Sequence, residues 1–150
     1  MKILYAASEA VPFCKTGGLA DVAGSLPAAL AAQGADVAVV LPLYQKVKEK
    51  FSDQLHFECY DYVDLAWRHS YCGLFSMERD GVTWYFLDNE QYFRRPDLYG
   101  YMDDGERFGF FSRAVVRMLP HLRFWPEVIH CNDWQTALVP IYLKDDSVRE

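Results

Sequence analysis

Residues 2–24 read KILYAASEAVPFCKTGGLADVAG, a short apolar run followed by a loop with two adjacent glycines and then a helical pattern. The apolar run at residues 3–7 is typical of a buried strand. Leu19, Val22 and Leu26 recur at the three- and four-residue spacing of a helix. This order predicts a strand that delivers a lysine and two glycines to the start of a helix.

The loop Lys15-Thr16-Gly17-Gly18 has the composition of an anion-binding site. Glycine lets backbone amides come close to a ligand, and the first turn of a helix presents unpaired N–H groups at the positive end of its dipole. Lys15 adds a mobile cation, so the loop predicts binding of a phosphorylated, diphosphate-containing small molecule. The alternative is a tight turn with close helix packing. Because the lysine precedes the glycines, the loop is neither a P-loop nor a GxGxxG motif.

Length and composition indicate one globular domain with a substantial core, since the chain has 150 residues, 51% of them hydrophobic and 24% charged. The net charge of −6 and the pI near 5.2 argue against nucleic acid or an anionic membrane as a partner, because either would need a basic face. No apolar run has the length of a signal-peptide core or a membrane span. The four cysteines are widely separated, which predicts reduced thiols in the cytoplasm rather than a disulfide or zinc framework.

The following strands predict an α/β fold. Residues 36–42 are a β-branched apolar run, typical of a strand buried on both faces of a parallel sheet. Residues 55–67 and 69–78 alternate instead, and Asp80-Gly81 is a hairpin signal that leads into a strand at residues 82–87. We therefore expect a Rossmann-like, mainly parallel sheet flanked by helices, with an antiparallel meander joined to its edge.

Local signals complete the expected elements. Pro27 is expected to kink the first helix. Residues 92–104 are expected to form a surface loop, and Asp103-Asp104-Gly105-Glu106 has the spacing of a capping box for a helix that Pro120 interrupts. A strand at residues 126–131 is followed by the last helix. The side chains expected to face inward from that helix are Ala137, Leu138, Ile141 and Tyr142.

The turn Asn132-Asp133-Trp134 is a second candidate for chemistry. Ligands gather beyond the carboxyl ends of the strands in an open α/β sheet, so we expect this turn and the Lys15 loop to border one crevice. A cation for phosphate, a carboxylate for hydroxyls and an indole face for C–H surface suit a phosphorylated sugar. Each residue also has a structural alternative: Asp133 as a helix cap, Trp134 and His130 as core residues, and Asp21 as a partner of the helix dipole.

The sequence lacks the common catalytic metal and nucleophile patterns. It contains no HExxH or GxSxG motif and no cluster of histidines and cysteines, so no metal is implied. Cys14 lies beside the glycine loop without a visible base, which does not favour a nucleophilic role.

Three stretches together resemble the family of bacterial glycogen synthases and plant starch synthases. The first is residues 15–22, preceded by Ser8-Glu9, and the second is the His-x-x-Asp-Trp turn at residues 130–135. The third is Tyr99-Gly100-Tyr101 together with the acidic and aromatic residues that follow it up to position 108. The three stretches come in the family's order and span nearly the whole chain.

The resemblance implies the N-terminal half of a GT-B glycosyltransferase, which has two Rossmann-like domains facing each other across a cleft. Residues 1–150 would be most of the N-terminal, starch-synthase-type domain, without its last strands and without the C-terminal nucleotide-binding domain. The implied activity is retaining transfer of glucose from ADP-glucose to the non-reducing end of an α-1,4-glucan, with no cofactor. The implied partners are ADP-glucose, the glucan and the C-terminal domain, and we expect residues 1–150 alone to be inactive.

On the donor side, the resemblance implies that Lys15 and the Gly17 and Gly18 amides meet the diphosphate and the glucose. Asp21 would support their loop. Breaking a glycosyl–phosphate bond leaves negative charge on the diphosphate, and a lysine with helix-terminal amides can stabilise that charge.

On the acceptor side, the resemblance implies that Asp133 acts in catalysis by orienting hydroxyls or stabilising the sugar cation. Trp134 would line the glucosyl and acceptor pocket, and Tyr99 would be a further substrate contact. Two other classes of protein remain as alternatives at this point. One is a non-catalytic glucan- or nucleotide-sugar-binding module. The other is a nucleotide-binding oxidoreductase, which the absence of a GxGxxG motif disfavours.

Overall fold

The structure is a computed structural model that describes the backbone of residues 1–149 and the side chains of residues 1–145. Strands and helices alternate along the chain, apart from a meander of three successive strands in the middle and the two successive helices that follow it. The strands are β1 (Lys2–Ala6), β2 (Asp36–Pro42), β3 (His56–Leu65), β4 (Arg68–Arg79), β5 (Val82–Asp88) and β6 (Val128–Cys131). The α-helices are α1 (Gly18–Ala32), α2 (Gln45–Phe51), α3 (Glu90–Phe93), α4 (Asp104–Met118) and α5 (Val139–Arg149), with 3₁₀ turns at Leu119–His121 and Trp134–Thr136.

The strands form one six-stranded sheet in the order β3-β4-β5-β2-β1-β6. The ladders β5–β2, β2–β1 and β1–β6 are parallel, whereas β3–β4 and β4–β5 are antiparallel. The expected mainly parallel sheet with an antiparallel meander at one edge is therefore confirmed. The Asp80-Gly81 hairpin is confirmed as well, and both of its residues have the positive φ, 53° and 75°, that a two-residue hairpin turn of this kind requires.

Pro27 lies inside α1, which runs from Gly18 to Ala32, and the kink expected there stays a prediction. Pro27 is buried, and its contact with the core favours the helix despite the missing N–H. The helix ends where expected: Gly34, just beyond it, adopts a φ of +98° that favours glycine.

The expected surface loop at residues 92–104 begins inside a short helix, α3. The Asn89 side chain accepts a hydrogen bond from the Tyr92 N–H, which caps that helix. Tyr92, Phe93 and Leu98 are buried, so much of the segment belongs to the core and not to the surface. The polar appearance of the sequence here comes from the residues between these three side chains.

The predicted capping box at the start of α4 is wrong. Asp103 makes no side-chain cap to the helix. Its carboxylate instead binds the Arg95 guanidinium through two hydrogen bonds of 2.6 and 2.7 Å. Glu106 pairs with Arg68 on β4, so both acidic residues are engaged by arginines from other parts of the chain. The helix ends at Met118, just before Pro120, as the proline predicts.

The last helix also differs, because α5 begins only at Val139, after a 3₁₀ turn. Because this turn takes up three residues before α5 begins, the side chains that face inward differ from those expected. Val139 is buried, whereas Leu138 and Ile141, which were expected inside, are 38% and 60% exposed. Of the other two side chains expected inside, Ala137 is exposed and Tyr142 is partly buried against the core.

Helix α4 is the central helix of the domain, and ten of its fifteen residues are buried. One of them is Arg107, whose side chain has no exposed surface. Its guanidinium donates to the carbonyl oxygens of Tyr92 and Leu98 and to the Asp104 carboxylate, at 2.7 to 2.9 Å. This buried cation holds the segment between α3 and α4, which carries Tyr99.

Candidate functional site

The two turns singled out by sequence lie at neighbouring strand ends, because β1 and β6 pair directly and run parallel. Just beyond β6, the Asn132 backbone N–H and side-chain amide both donate to the Ala6 carbonyl oxygen at the end of β1, at 3.2 and 3.0 Å. The loop that follows β1 and the turn that follows β6 therefore start from one point at the carboxyl edge of the sheet. This is where open α/β sheets bind ligands.

A buried carboxylate organises the glycine loop. Glu9 is only 4% exposed, and its oxygens accept hydrogen bonds from the backbone N–H groups of Thr16 and Gly17 at 2.5 and 3.2 Å. The Thr16 hydroxyl donates to the same carboxylate at 2.9 Å. Charge-assisted bonds of this kind are strong, so they fix the backbone of the loop. The Gly17 amide, which was expected to meet a diphosphate, is already engaged by Glu9.

The same carboxylate ties the loop to the third sequence motif. The Tyr99 hydroxyl lies 3.1 Å from the Glu9 carboxylate and 2.6 Å from the Ser8 hydroxyl. Burial raises the pKa of Tyr99 well above its usual value, so the phenol is neutral at physiological pH. The hydroxyl expected to contact a substrate is thus turned inward, and Tyr99 fastens the loop from ninety residues away.

Neither packing nor backbone geometry within the described residues requires glycine at positions 17 and 18. Gly17 has an extended backbone, with φ −160°, and Gly18 is the first residue of α1. Neither has the positive φ that favours glycine. A Cβ atom added at either position would meet no atom within 4 Å. The tight-turn alternative requires packing or backbone strain here, and the structure contains neither.

Gly24, six residues after Gly18 on α1, is closely packed, unlike Gly17 and Gly18. A Cβ atom there would lie 2.3 Å from Val11 Cγ2 and 2.6 Å from the Val11 carbonyl oxygen. The Val11 N–H also donates to the Ala20 carbonyl oxygen at 3.0 Å. Close packing of the loop on the helix therefore depends on Gly24 and not on the two glycines of the motif.

Lys15 and Asp21 form an ion pair at the mouth of the loop. Lys15 Nζ lies 2.8 and 2.9 Å from the two oxygens of Asp21, and both side chains are at least half exposed. An exposed ion pair of this kind contributes little free energy, so an incoming anion can displace Asp21 from Lys15 at small cost. Asp21, in the first turn of α1, thus holds the lysine beside the N-terminal amides of the helix.

Asp133 sits at a strained position in the second turn. Its φ of 64° and ψ of −175° fall in a region that only glycine occupies freely. One carboxylate oxygen accepts from the Trp134 N–H at 2.7 Å, so the residue does cap the following 3₁₀ turn, as the structural alternative predicts. The other oxygen has no hydrogen-bond partner among the residues whose side chains are described, 1–145. Backbone strain at a residue that follows a strand and exposes its carboxylate is typical of functional sites.

Trp134 is not a core residue, since 51% of its surface is exposed. The edge of its indole packs against Phe108, with ring centroids 5.3 Å apart, and Phe108 in turn lies 5.6 Å from the Tyr99 ring. Trp134, Phe108 and Tyr99 therefore form a continuous line of rings. This line joins the turn after β6 to the segment that fastens the glycine loop, so ring contacts through the buried Phe108 connect the motifs.

His130 was predicted to be a core histidine, and this is wrong. Its side chain is exposed on the edge strand β6 and stacks on Tyr5 with ring centroids 4.8 Å apart. Because β6 has a paired neighbour on one side only, among the residues described, side chains along it keep access to solvent.

Sequence reasoning missed the roles of Glu9, Phe108 and Arg107. The sequence did contain a signal for Glu9. This glutamate stands between an apolar strand and an apolar loop segment, and a buried carboxylate must find hydrogen-bond donors. The unpaired backbone amides of the glycine loop follow it in sequence and are such donors. No local signal identifies Arg107 as buried, because its partners come from three separate positions.

All four cysteines are free thiols, as expected. Burial raises the pKa of Cys14 to about 12, so it is protonated at physiological pH and is a poor nucleophile. Within the described part of the chain, no three metal-ligating side chains come together. No helix described here has the length and apolar character needed to cross a membrane.

Comparison with known proteins gives a consistent result. The sequence model of the family described as starch synthase catalytic domain matches residues 2–150. Glycogen synthase from Clostridium botulinum (strain Eklund 17B / Type B) is 51% identical over 150 residues, which cover all of this chain and 31% of that protein. Glycogen synthase from Lactococcus lactis subsp. lactis (strain IL1403) is 55% identical over 148 residues, covering 97% of this chain and 31% of that protein.

A solved structure matches the fold as well. The catalytic domain of starch synthase IV from Arabidopsis thaliana, bound to ADP and acarbose, has a TM-score of 0.79 at 28% identity. The match covers 95% of this chain and 31% of that chain. The sheet order and the site at its carboxyl edge thus define a domain of the GT-B glycosyltransferase class.

More particularly, the chain belongs to the starch synthase catalytic domain family, which confirms the resemblance seen in its three motifs. It spans 31% of the length of the glycogen synthases named above.

Proposed function

We propose that the protein transfers glucose from ADP-glucose to the non-reducing end of an α-1,4-glucan with retention, and that residues 1–150 supply the N-terminal side of its active site. Gly17 and Gly18 carry this proposal. Neither packing nor backbone geometry requires glycine at these positions, which supports a ligand in the open space beside them. The related starch synthase IV domain was solved bound to ADP and acarbose, in agreement with a nucleotide and a carbohydrate as ligands.

The donor diphosphate would bind at the start of α1. Glu9 occupies the Gly17 amide, so the amides left for phosphate oxygens are those of Gly18 and Leu19, which lie in the first turn and have no intrahelical acceptor. Lys15 would leave Asp21 and add its charge as the glycosyl–phosphate bond breaks. Gly17 would let the ligand come close to the backbone because it has no side chain, and its own N–H would stay bonded to Glu9.

The transferred glucose and the end of the glucan would lie between the glycine loop and the turn after β6. Asp133 would accept from sugar hydroxyls and stabilise the positive charge that develops on the sugar. Trp134 would cover a C–H face of a glucosyl unit with its exposed indole. Tyr99 would act mainly by holding the glycine loop, since its hydroxyl is bonded to Ser8 and Glu9.

Further parts of the proposal concern the rest of the protein. Because the chain spans 31% of its glycogen synthase relatives, the remaining sequence would supply the last strands of this domain and a C-terminal nucleotide-binding domain. We also propose a cytoplasmic location, which the four free thiols support.

The test is transfer of labelled glucose from ADP-glucose to glycogen by the full-length protein, with UDP-glucose and residues 1–150 alone assayed in parallel. We expect transfer from ADP-glucose by the full-length protein, α-linked product by NMR, and no turnover by the isolated chain. Lys15→Ala should lower the affinity for ADP-glucose about tenfold or more, with Lys2→Ala, an exposed lysine at the amino end of β1, as the control. Asp133→Asn, which keeps the cap on Trp134, should lower turnover by about 10²-fold or more.

Each part of the proposal has its own contradicting result. Glucan binding without any transfer would identify a non-catalytic binding module. Preference for UDP-glucose would overturn the donor assignment. Wild-type kinetics in Lys15→Ala would remove the lysine from the donor site, and robust turnover by residues 1–150 would show that a second domain is not needed.

A further inference from the structure

A cleft of about 520 Å³ lies between the loop that follows β1 and helix α2. Residues 11–15 form one wall, and Lys46, Glu49 and Lys50 of α2 form the other. Neither the two glycines of the motif nor Asp21 lines this cleft, so it is a separate space from the donor position proposed at the start of α1. Its volume lies within the range of about 300–1,000 Å³ that is typical of small-molecule sites.

The loop wall of the cleft is fixed in place and largely apolar. The N–H groups of Phe13 and Cys14 both donate to the Ala10 carbonyl oxygen at 2.9 Å, which closes the loop into a compact turn. Phe13 is buried and packs on Phe51 of α2, with ring centroids 4.9 Å apart. Burial raises the pKa of Cys14 to about 12, so its thiol is uncharged at neutral pH. This wall therefore offers an ordered apolar surface without a negative charge.

The helix wall carries two lysines whose charges are not neutralised. Lys46 and Lys50 are exposed, and neither makes an ion pair with the residues whose side chains the structure describes. Glu49 lies between them in sequence, but its carboxylate accepts a hydrogen bond from the Gln45 amide at 3.0 Å. The helix wall thus has an excess of positive charge, although the whole chain has a net charge of −6.

The positions of these two lysines are unfavourable for the helix alone. Lys46 and Lys50 are four residues apart, so they lie on one face of α2 and repel each other. Lys46 also lies in the first turn, where a positive charge opposes the helix dipole, and that turn contains no acidic residue. By contrast, Lys48 on another face of α2 pairs with Asp88 at 3.6 Å and with Glu90 at 3.4 Å. Charges that oppose local stability beside a cleft indicate a binding role.

Lys15 gives the cleft a third ammonium group. Its side chain lines the cleft, and its Nζ pairs with the exposed Asp21 at 2.8 Å. Because such an exposed pair contributes little free energy, Lys15 can turn from Asp21 toward an anion in the cleft. The proposed function assigns the same lysine to the donor diphosphate, so the cleft and the donor position share one residue.

Three ammonium groups beside an apolar wall select a small phosphate ester as the class of ligand. Lysine binds phosphate as a point charge, and a phosphate monoester carries nearly two negative charges at neutral pH. The apolar wall suits the carbon body of such a molecule, which an inorganic ion lacks. Nucleic acid is disfavoured, because it would need a basic face on a chain whose net charge is −6.

We propose that the cleft between residues 11–15 and α2 binds a small phosphate ester, with Lys46 and Lys50 on its phosphate and the apolar wall on its carbon body. The bound ester would draw Lys15 away from the donor position and lower the affinity for ADP-glucose, so the site would be inhibitory. The inhibition rests on the proposed function, whereas the binding rests on the residues of the cleft.

The binding test is calorimetric titration of the full-length protein with phenyl phosphate, which has one phosphate ester and one apolar ring. We expect a Kd of about 1 mM or lower for the parent and about tenfold weaker binding by Lys46→Ala/Lys50→Ala. Lys46→Arg/Lys50→Arg keeps both charges and should bind nearly as well as the parent. Lys2→Ala/Lys48→Ala removes the same charge outside the cleft and should bind as the parent does. Inorganic phosphate should bind more weakly than phenyl phosphate, because it has no contact with the apolar wall.

The inhibition test measures initial rates of glucose transfer with and without phenyl phosphate. In the parent, the probe should raise the KM for ADP-glucose without changing kcat. In Lys46→Ala/Lys50→Ala, about tenfold more probe should be needed for the same rise, while kcat and KM without the probe stay at the parent values. A probe that simply occupied the donor position would inhibit the parent and this variant equally.

Each part of this proposal has its own contradicting result. Binding to the parent that is weaker than about 10 mM would overturn the site. Equal binding by Lys46→Ala/Lys50→Ala, or an equal loss in Lys2→Ala/Lys48→Ala, would overturn it as well. Binding through Lys46 and Lys50 with an unchanged KM for ADP-glucose would overturn the inhibitory role. If the parent binds the probe through these lysines but transfers no glucose, the proposed function fails and the site stands.

Discussion

Single residues around the glycine loop divide into those that shape the loop and those that leave room beside it. Glu9 shapes it, because its buried carboxylate takes two consecutive backbone amides and the Tyr99 hydroxyl. Gly24 shapes it as well, through direct packing on Val11. Gly17 and Gly18 have no such task within the chain, and their surroundings are open.

This division predicts opposite effects for two glycine substitutions. Gly24→Ala should lower the free energy of unfolding by about 1–3 kcal/mol, because the new methyl group collides with Val11 backbone. Gly18→Ala should change stability by less than about 0.5 kcal/mol, since alanine suits a helix and meets no atom. In the full-length protein, Gly18→Ala should weaken ADP-glucose binding about tenfold. Urea unfolding and calorimetric titration measure the two effects, and a stable Gly18→Ala protein with normal donor affinity would contradict the assignment.

At the scale of residues, sequence predicted where the candidate side chains lie better than which atoms they contact. Lys15, Asp133 and Trp134 do follow strands β1 and β6, as expected, and their functional roles stay predictions. The inward bond of the Tyr99 hydroxyl was missed, because it depends on burial between segments ninety residues apart. The engagement of the Gly17 amide by Glu9 was missed for the same reason, since a periodicity argument does not describe which donors a buried carboxylate finds.

Among the elements, α4 begins without a side-chain cap, because Arg95 binds the carboxylate of its N-cap residue. Its first turn carries acidic residues at 103, 104 and 106 that suit the helix dipole, yet Asp103 binds Arg95 instead of the helix. The Arg95 partner holds the pKa of Asp103 below its usual value. A carboxyl with a lowered native pKa stabilises the fold above its unfolded pKa, and this contribution is lost as the pH falls through the native pKa.

Asp103→Asn should therefore destabilise the protein at neutral pH and not in acid. We expect a loss of about 1 kcal/mol at pH 7, a modest value because both side chains are partly exposed. In acid well below the lowered native pKa the difference from the parent should disappear, since the parent carboxyl is then protonated too. Urea unfolding at both pH values measures this, with Asp97→Asn as a control in the same segment. If Asp103→Asn still destabilised the protein in acid, the contact between Asp103 and Arg95 would contribute through packing and not through charge.

The elements themselves were largely predictable, and each exception has a cause in the structure. Strand β2 matched its expected bounds of residues 36–42, and the meander and its Asp80-Gly81 turn were found from alternation and turn chemistry. The start of α5 was misplaced, because Asp133 opens a 3₁₀ turn that periodicity does not reveal. The capping box failed because distant arginines bind Asp103 and Glu106, so tertiary contacts overrode a local signal.

Within the residues described, both edge strands of the sheet, β3 and β6, pair on one side only. The hairpin of β3 and β4 is anchored to α4 by the pair between Arg68 and Glu106, whereas β6 pairs only with β1 within the residues described. Large apolar side chains are exposed around this open edge. They are Trp125 (66%), Val128 (42%), Ile141 (60%) and Leu143 (38%).

An open strand edge with apolar neighbours predicts that residues 1–150 in isolation self-associate. Light scattering after size exclusion should show dimers or larger species at micromolar concentration. Val128→Lys/Ile141→Lys should restore the monomer, because charges on an edge oppose pairing. Met102→Lys, on a fully exposed side chain elsewhere, should not. A strictly monomeric parent chain would contradict this prediction.

The β1–β6 ladder also has a consequence for the order of folding. It joins residues 125 apart, and closing so long a loop costs more entropy than forming the β1–β2 unit or the meander, whose partners are near in sequence. We therefore expect β6 to dock last, after the rest of the sheet has assembled. Because the turn with Asp133 follows β6 directly, the two halves of the ligand edge come together only in that final step. A chain that binds sugar at this edge has thereby completed its fold, so ligand binding can serve as a stringent reporter of the native state.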